Sequence, residues 1–150
     1  MESELKAGSL ITVPHDRKSM PGITHAISLV QPWAWLIASG VKRIENRTWP
    51  TKYRGPLYIH ASKKQSKPDY EIAWALYEHC RRRSGRILDL LPPFHSLTRG
   101  AIIATANLTD CVTEHESMWF FGPYGFVLDD VIPIKPFFRN GALGIWRLDA

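Results

Sequence analysis

Lys42, Glu45 and Arg47 lie within the run GVKRIENRTW, where apolar Ile44 and Trp49 interrupt charges of both signs. An ammonium three residues before a carboxylate offers two kinds of chemistry. A lysine whose charged form is disfavoured by burial acts as a base, and one that keeps its charge anchors an anion such as phosphate. The bland alternative is a structural ion pair closing a corner of the chain. Just upstream, Gln31 can read the edge of a base or cap a helix, and Trp33 can stack on a base or pack into a core. Downstream, Arg47, Lys52, Tyr53 and Arg54 alternate with Trp49 in a basic, aromatic turn, the composition of a single-strand-binding surface. His60 precedes Ser62, Lys63 and Lys64; a lone histidine either serves as ligand or acid–base group, or is a satisfied structural residue.

Other chemistries find little support. The six histidines show no paired metal spacing, so no metal and no cofactor is expected. No phosphate loop, nucleophile elbow or zinc-deaminase pattern occurs. Cys80 and Cys111 stand far apart, and free buried thiols are expected. The net charge of +5 favours an anionic partner, for which nucleic acid is the common case. No apolar run approaches the length of a membrane span, and the first residues lack a basic-then-apolar leader, so a cytoplasmic protein with no membrane contact is expected.

The elements that must hold these residues follow from periodicity and punctuation. Residues 1–22 mix charge, proline and glycine without period and read as a flexible lead-in; residues 23–150 read as one domain. A strand over 25–30 leads to a short helix over 32–39. Pro32 suits its first turn, Trp33, Leu36 and Ile37 share a face, and Gly40 stops it. A second strand is expected over 41–48. Strict alternation would place Lys42 beside Ile44, which wants the core, so either Lys42 is still in the turn or the strand is bulged. A third strand over 57–61 puts Leu57 and Ile59 opposite Tyr58 and His60. A basic connection precedes a helix over about 68–83, with Ile72, Leu76 and His79 on one face and Ala73 and Tyr77 beside them. Its closing arginines, Arg81, Arg82 and Arg83, complement the helix dipole or, with Arg86, contact phosphate. Strands follow over 100–111, 126–134 and 143–148. Pro136 interrupts the segment before a tight turn at Asn140-Gly141. The class is α+β with a dominant sheet.

Three patterns carry a resemblance. Gln31-Pro32-Trp33-Ala34, then Gly40-x-Lys42-x-x-Glu45-x-Arg47, then Arg54-Gly55 before a strand, is similar to the opening of an ASCH domain, a branch of the PUA-like superfamily. FGPYGFVL and GALGIWRL resemble the closing strands of bacterial and phage members. The resemblance covers most of residues 24–149 and leaves out the lead-in and the arginine-rich middle. It implies a PUA-like β-barrel, a pseudo-barrel of mixed strands with a short helix after strand one and a longer inserted helix. It also implies a cleft at one barrel end, between the short helix and the strand ends. The carry-over makes Lys42 and Glu45 the catalytic candidates. It places Gln31, Trp33, His60 and Ser62 at that cleft; with Arg47, Tyr53 and Arg54 of the basic, aromatic turn and Lys63 of the basic run after the third strand, they are the nucleic-acid- or ligand-binding candidates.

The partner so implied is single-stranded RNA or a nucleoside or nucleotide, with the cleft taking one base or modified nucleotide. An enzyme is the alternative. Some small relatives resemble acetylcytidine amidohydrolases, which use a Lys-x-x-Thr motif, and others look like single-strand ribonucleases. Here Glu45 stands where that threonine would be, so a hydrolase acting on RNA or an N-acylated cytidine would need Lys42 and Glu45 as a general base pair. A regulatory interaction module without catalysis is the third reading.

Overall fold

The structure, a computed structural model, describes residues 22–86 and 88–148, so the expected lead-in lies outside the described residues but for Gly22. The elements run β1 (His25–Gln31), α1 (Trp33–Ala38), β2 (Ile44–Arg47), β3 (Gly55–Gln65), α2 (Lys67–Ser84), a 3₁₀ turn (Phe94–Ser96), β4 (Ala101–Val112), β5 (Tyr124–Phe138) and β6 (Ile145–Arg147). Six strands form one mixed sheet in the order β2-β5-β4-β3-β1-β6. Only β1 and β3 are parallel; the other ladders are antiparallel. The fold is α+β, as expected, and its sheet is a pseudo-barrel rather than a closed one, because β2 and β6 share no ladder.

Strand alternation divides the packing. Ile27, Leu29, Leu57, Ile59, Phe126 and Leu128 point to the main core, while Ala26, Tyr58, Ile102 and Trp146 form a smaller cluster on the other face. The expected opposition of Leu57 and Ile59 to Tyr58 and His60 is what the parallel register delivers, with Ser28 level with His60. A third cluster, built on Leu36, Ile44, Ala73, Tyr77 and Trp119, seats the helices.

Helix α2 starts at Ser66, whose hydroxyl accepts from Asp69 N–H, with Pro68 in the first turn; Gly85 ends it in the left-handed conformation at φ 69°. Its buried stripe is not the expected Ile72–Leu76–His79 face. Ala73 and Tyr77 are buried, with Tyr70, Leu76 and Cys80 partly so, and Ile72 is 53% exposed. The i, i+3, i+7, i+10 run from Tyr70 to Cys80 supplies a wider apolar stripe than Ile72 and Leu76 can. Cys80 and Cys111 are free thiols, half-buried rather than buried.

Two strands outrun their expected ends. β3 continues through Ser62, Lys63 and Lys64, expected as a connection, because β1 pairs along it as far as Gln65. β5 continues through Pro133 and Pro136 to Phe138. Proline is tolerated there because β2 pairs only with Tyr124 to Val127, so Pro133 and Pro136 lie where β5 is an edge of the sheet. The last strand is shorter than expected and covers β1 only from His25 to Ile27. Among the described residues no helix is long and apolar enough to cross a membrane.

Candidate functional site

The short β6 creates the cleft. Its pairing stops at Ile27, which leaves the Ser28 carbonyl open on the β1 edge. Arg47, at the end of β2, crosses the unclosed seam and donates from Nη2 to that carbonyl at 2.8 Å. Between these edges lies a cleft of about 990 Å³. Trp33, Glu45, Arg47, Trp49, His60 and Lys63 are among the side chains that wall it, with Ser62, Lys64 and Asp69. Residues 140–144, the approach to β6, close one side.

Lys42 lies in the turn after α1, not in β2, which resolves the conflict with Ile44. Its backbone N–H, with that of Val41, donates to Leu36 O at the helix end. Its side chain is 2% exposed and runs beneath the cleft wall. Nζ donates to Ile44 O at 2.6 Å and to Glu45 Oε1 at 3.1 Å, and sits 5.5 Å from the Trp33 ring centre. The other Glu45 oxygen, Oε2, lies 3.3 Å from Arg47 Nε. One carboxylate is thus held between two cations, at the wall, 9% exposed. A carboxylate offers about four lone-pair sites, so two remain for a donor entering the cleft. The Arg47 guanidinium also lies 5.7 Å from the Trp49 ring centre, and the Trp33 indole N–H donates to Asp69 Oδ2 at 3.2 Å.

His60 anchors the far wall. Its Nε2 lies 2.9 Å from the Arg139 carbonyl, an acceptor only, so that nitrogen carries the proton. Nδ1 then accepts from Ser28 Oγ at 3.2 Å, and Ser28 Oγ accepts from Trp146 Nε1 at 2.9 Å. Burial lowers the His60 pKa below the usual histidine value; its bond to the Arg139 carbonyl opposes that shift, and the charges of Arg139 and Lys63 add to it. Gly141 is pressed onto this relay. A Cβ there would sit 2.5 Å from His60 Cε1, 2.6 Å from Nδ1 and 2.7 Å from Ser28 Oγ.

The structure therefore brings Glu45, Trp33, Arg47, His60, Ser62 and Lys63 together, with Lys42 behind them. It does not bring the other three. Gln31 uses both ends of its amide inside the fold: Oε1 accepts from Trp35 N–H and caps α1, and Nε2 donates to Thr98 O, both at 2.8 Å. Tyr53 donates to Pro56 O and lies against the His25 ring. Arg54 donates to Thr51 O and Tyr53 O and faces Asp110 at 3.8 Å. Both precede β3, ten strand residues or roughly 33 Å from Lys64. Sequence reasoning missed Ser28, Asp69 and residues 140–144 as wall. Only Asn140-Gly141 carried a local signal, and it reads as a turn. Asn46 is exposed to the cleft but also structural, since its amide holds Trp119 O, Phe121 N and Gly122 N. Among the described residues no group of three or more His, Cys, Asp or Glu could hold a metal.

Comparison with known proteins agrees with this architecture. The ASCH domain family model matches residues 27–134. Activating signal cointegrator 1 of Homo sapiens is 29% identical over 138 residues, which cover 83% of this chain and 22% of that protein. Its Mus musculus counterpart is 32% identical over 90 residues, 60% of this chain and 15% of that protein. The matched regions thus span about a fifth or less of those relatives. The family model covers most of the chain, and the chain belongs to the ASCH domain family.

Proposed function

We propose that this ASCH domain binds single-stranded RNA and admits one base, or a modified nucleoside, to the cleft beside Glu45. ASCH membership suggests RNA binding in general. The observation that carries the finer reading is a single carboxylate held between Lys42 and Arg47 at the wall of a cleft also lined by two indoles. Indole faces stack on any base, and a carboxylate accepts from an amino or imino N–H. The ligand edge so selected is a donor edge, as on cytosine or guanine. Lys42 enters as a positioning residue, because its ammonium is buried and already donates to two oxygens of the protein.

The test is fluorescence anisotropy of labelled, unstructured RNA at low salt, alongside tryptophan quenching by free nucleosides. Glu45→Gln keeps the shape and turns one acceptor into a donor. It is expected to weaken binding of a cytosine- or guanine-bearing strand about tenfold, or about 1.4 kcal/mol, within the range of one good base contact. A wild-type protein that binds neither strand nor nucleoside would end the reading.

A further inference from the structure

Four cations are carried by three chain segments that hydrogen-bond together beside the cleft. Lys63 and Lys64 come from the end of β3, Arg99 from the approach to β4 and Arg139 from the exit of β5. The backbone ties these segments: Gly100 N–H donates to Ala61 O at 2.7 Å, and Arg139 N–H to Gly100 O at 3.0 Å. Arg99 Nη1 donates to Lys63 O at 2.7 Å, and Lys63 Nζ to Asn140 Oδ1 at 2.8 Å. Lys63, Lys64 and Arg99 are exposed, and the Arg139 guanidinium lies 4.9 Å from the Trp146 ring centre. The ion pairs among the described residues join Lys42, Arg47, Arg54 and Arg81 to carboxylates, and none involves these four. Such a concentration of like charge is unfavourable unless an anion visits it, and the bonds made here engage carbonyl and amide oxygens that neutralise nothing.

We propose that Lys63, Lys64, Arg99 and Arg139 form a phosphate track that carries the RNA backbone away from the cleft across the β3–β4–β5 end of the sheet. This rests on the reading of the cleft above and adds Arg99 and Arg139, neither of which lines it. Lys63 and Lys64 belong to both cleft and track, so a base in the cleft places its own phosphate at the start of the rail. The strand leaves from this end of the sheet, far from the turn that bears Tyr53 and Arg54. Two of the four cations are arginines, whose planar fork suits paired phosphate oxygens.

The test measures RNA affinity against salt for the wild type, for Arg99→Gln with Arg139→Gln, and for Arg82→Gln with Arg83→Gln, which removes the same charge from the exposed end of α2. On a single strand each phosphate contact contributes about 0.7 to the slope of log affinity on log salt. The rim pair is expected to flatten that slope by about 1.4, and the α2 pair to leave it unchanged. Arg99→Lys with Arg139→Lys restores the slope if charge is what matters, and free-nucleoside quenching stays at the wild-type level in every variant. An unchanged slope in the rim pair overturns the track and leaves the cleft reading standing. Equal flattening by both pairs also overturns it, as general attraction to a basic protein. Loss of nucleoside quenching in the rim pair without rescue by lysine would make the two arginines supports of residues 139–144, and that too overturns it. A wild type that binds nucleoside but no strand removes the track together with the single-strand half of the cleft reading, and leaves its nucleoside half standing.

Discussion

Lys42 shows how one buried charge organises the neighbouring residues. Its ammonium is buried and is compensated by Ile44 O, Glu45 Oε1 and the face of the Trp33 ring. Breaking a buried pair from one side leaves the partner charge uncompensated, which typically costs about 3–5 kcal/mol. Glu45 retains Arg47 when Lys42 is lost, so the lower part of that range is expected for Lys42→Met in urea denaturation. Adding Glu45→Gln to that variant should cost less than the sum of the two single changes, since the second removes the charge the first exposed. Strict additivity would mean that the ammonium and carboxylate do not communicate, and the clamp would have to be abandoned.

At the scale of elements the cleft depends on how closely residues 140–144 approach β1 and β3. Gly141 is the point of contact, and a methyl group there would overlap His60 and Ser28 Oγ. Gly141→Ala must lift the segment or push His60, and overpacking of this kind costs about 1–3 kcal/mol. Weaker RNA binding together with a lowered thermal midpoint is expected, and a variant matching wild type in both would show the segment to be a passive rim. This contact also marks where sequence reasoning stops. Local order revealed the strand–helix–strand run from Ala26 to Ile59, the glycine stop before Lys42 and the two faces of β3. It posed the Lys42 question without answering it, because only part of the answer is local: Leu36 O takes the N–H groups of Val41 and Lys42, but what draws Ile44 inward is a core shared with Ala73, Tyr77 and Trp119, far along the chain. Nothing local to Gly141 says that it packs on His60, far back along the chain. Nor does anything near Lys63 reveal Arg99 and Arg139. Composition marks the basic turn at Tyr53 and Arg54 as a binding surface but does not say which end of a strand the turn occupies, and the cleft lies at the other end.

For the molecule as a whole, pH should act through histidines that the fold keeps neutral. His60 is buried within the Arg139–Ser28–Trp146 relay, and burial, with Arg139 and Lys63 nearby, lowers its folded pKa below the reference of 6.5. His25 is lowered too, by burial first and then by Arg147. The unfolded chain therefore binds protons that the folded chain refuses, so stability rises with pH in this range. The contribution is complete above the unfolded value and is lost as pH falls through the folded one. Protonating His60 would also place a second N–H donor against Ser28 Oγ and disturb the contacts that seat residues 139–141 and Trp146. The thermal midpoint should fall between about pH 7.5 and pH 5, and RNA affinity should be lost with it as the cleft wall loosens. In His60→Gln the fall should be shallower but not abolished, because His25 still contributes with the same sign. Parallel midpoint curves for wild type and His60→Gln would show that the proton is taken up elsewhere, and the relay would then be no more than a neutral hydrogen-bonded strut between β1, β3 and β6.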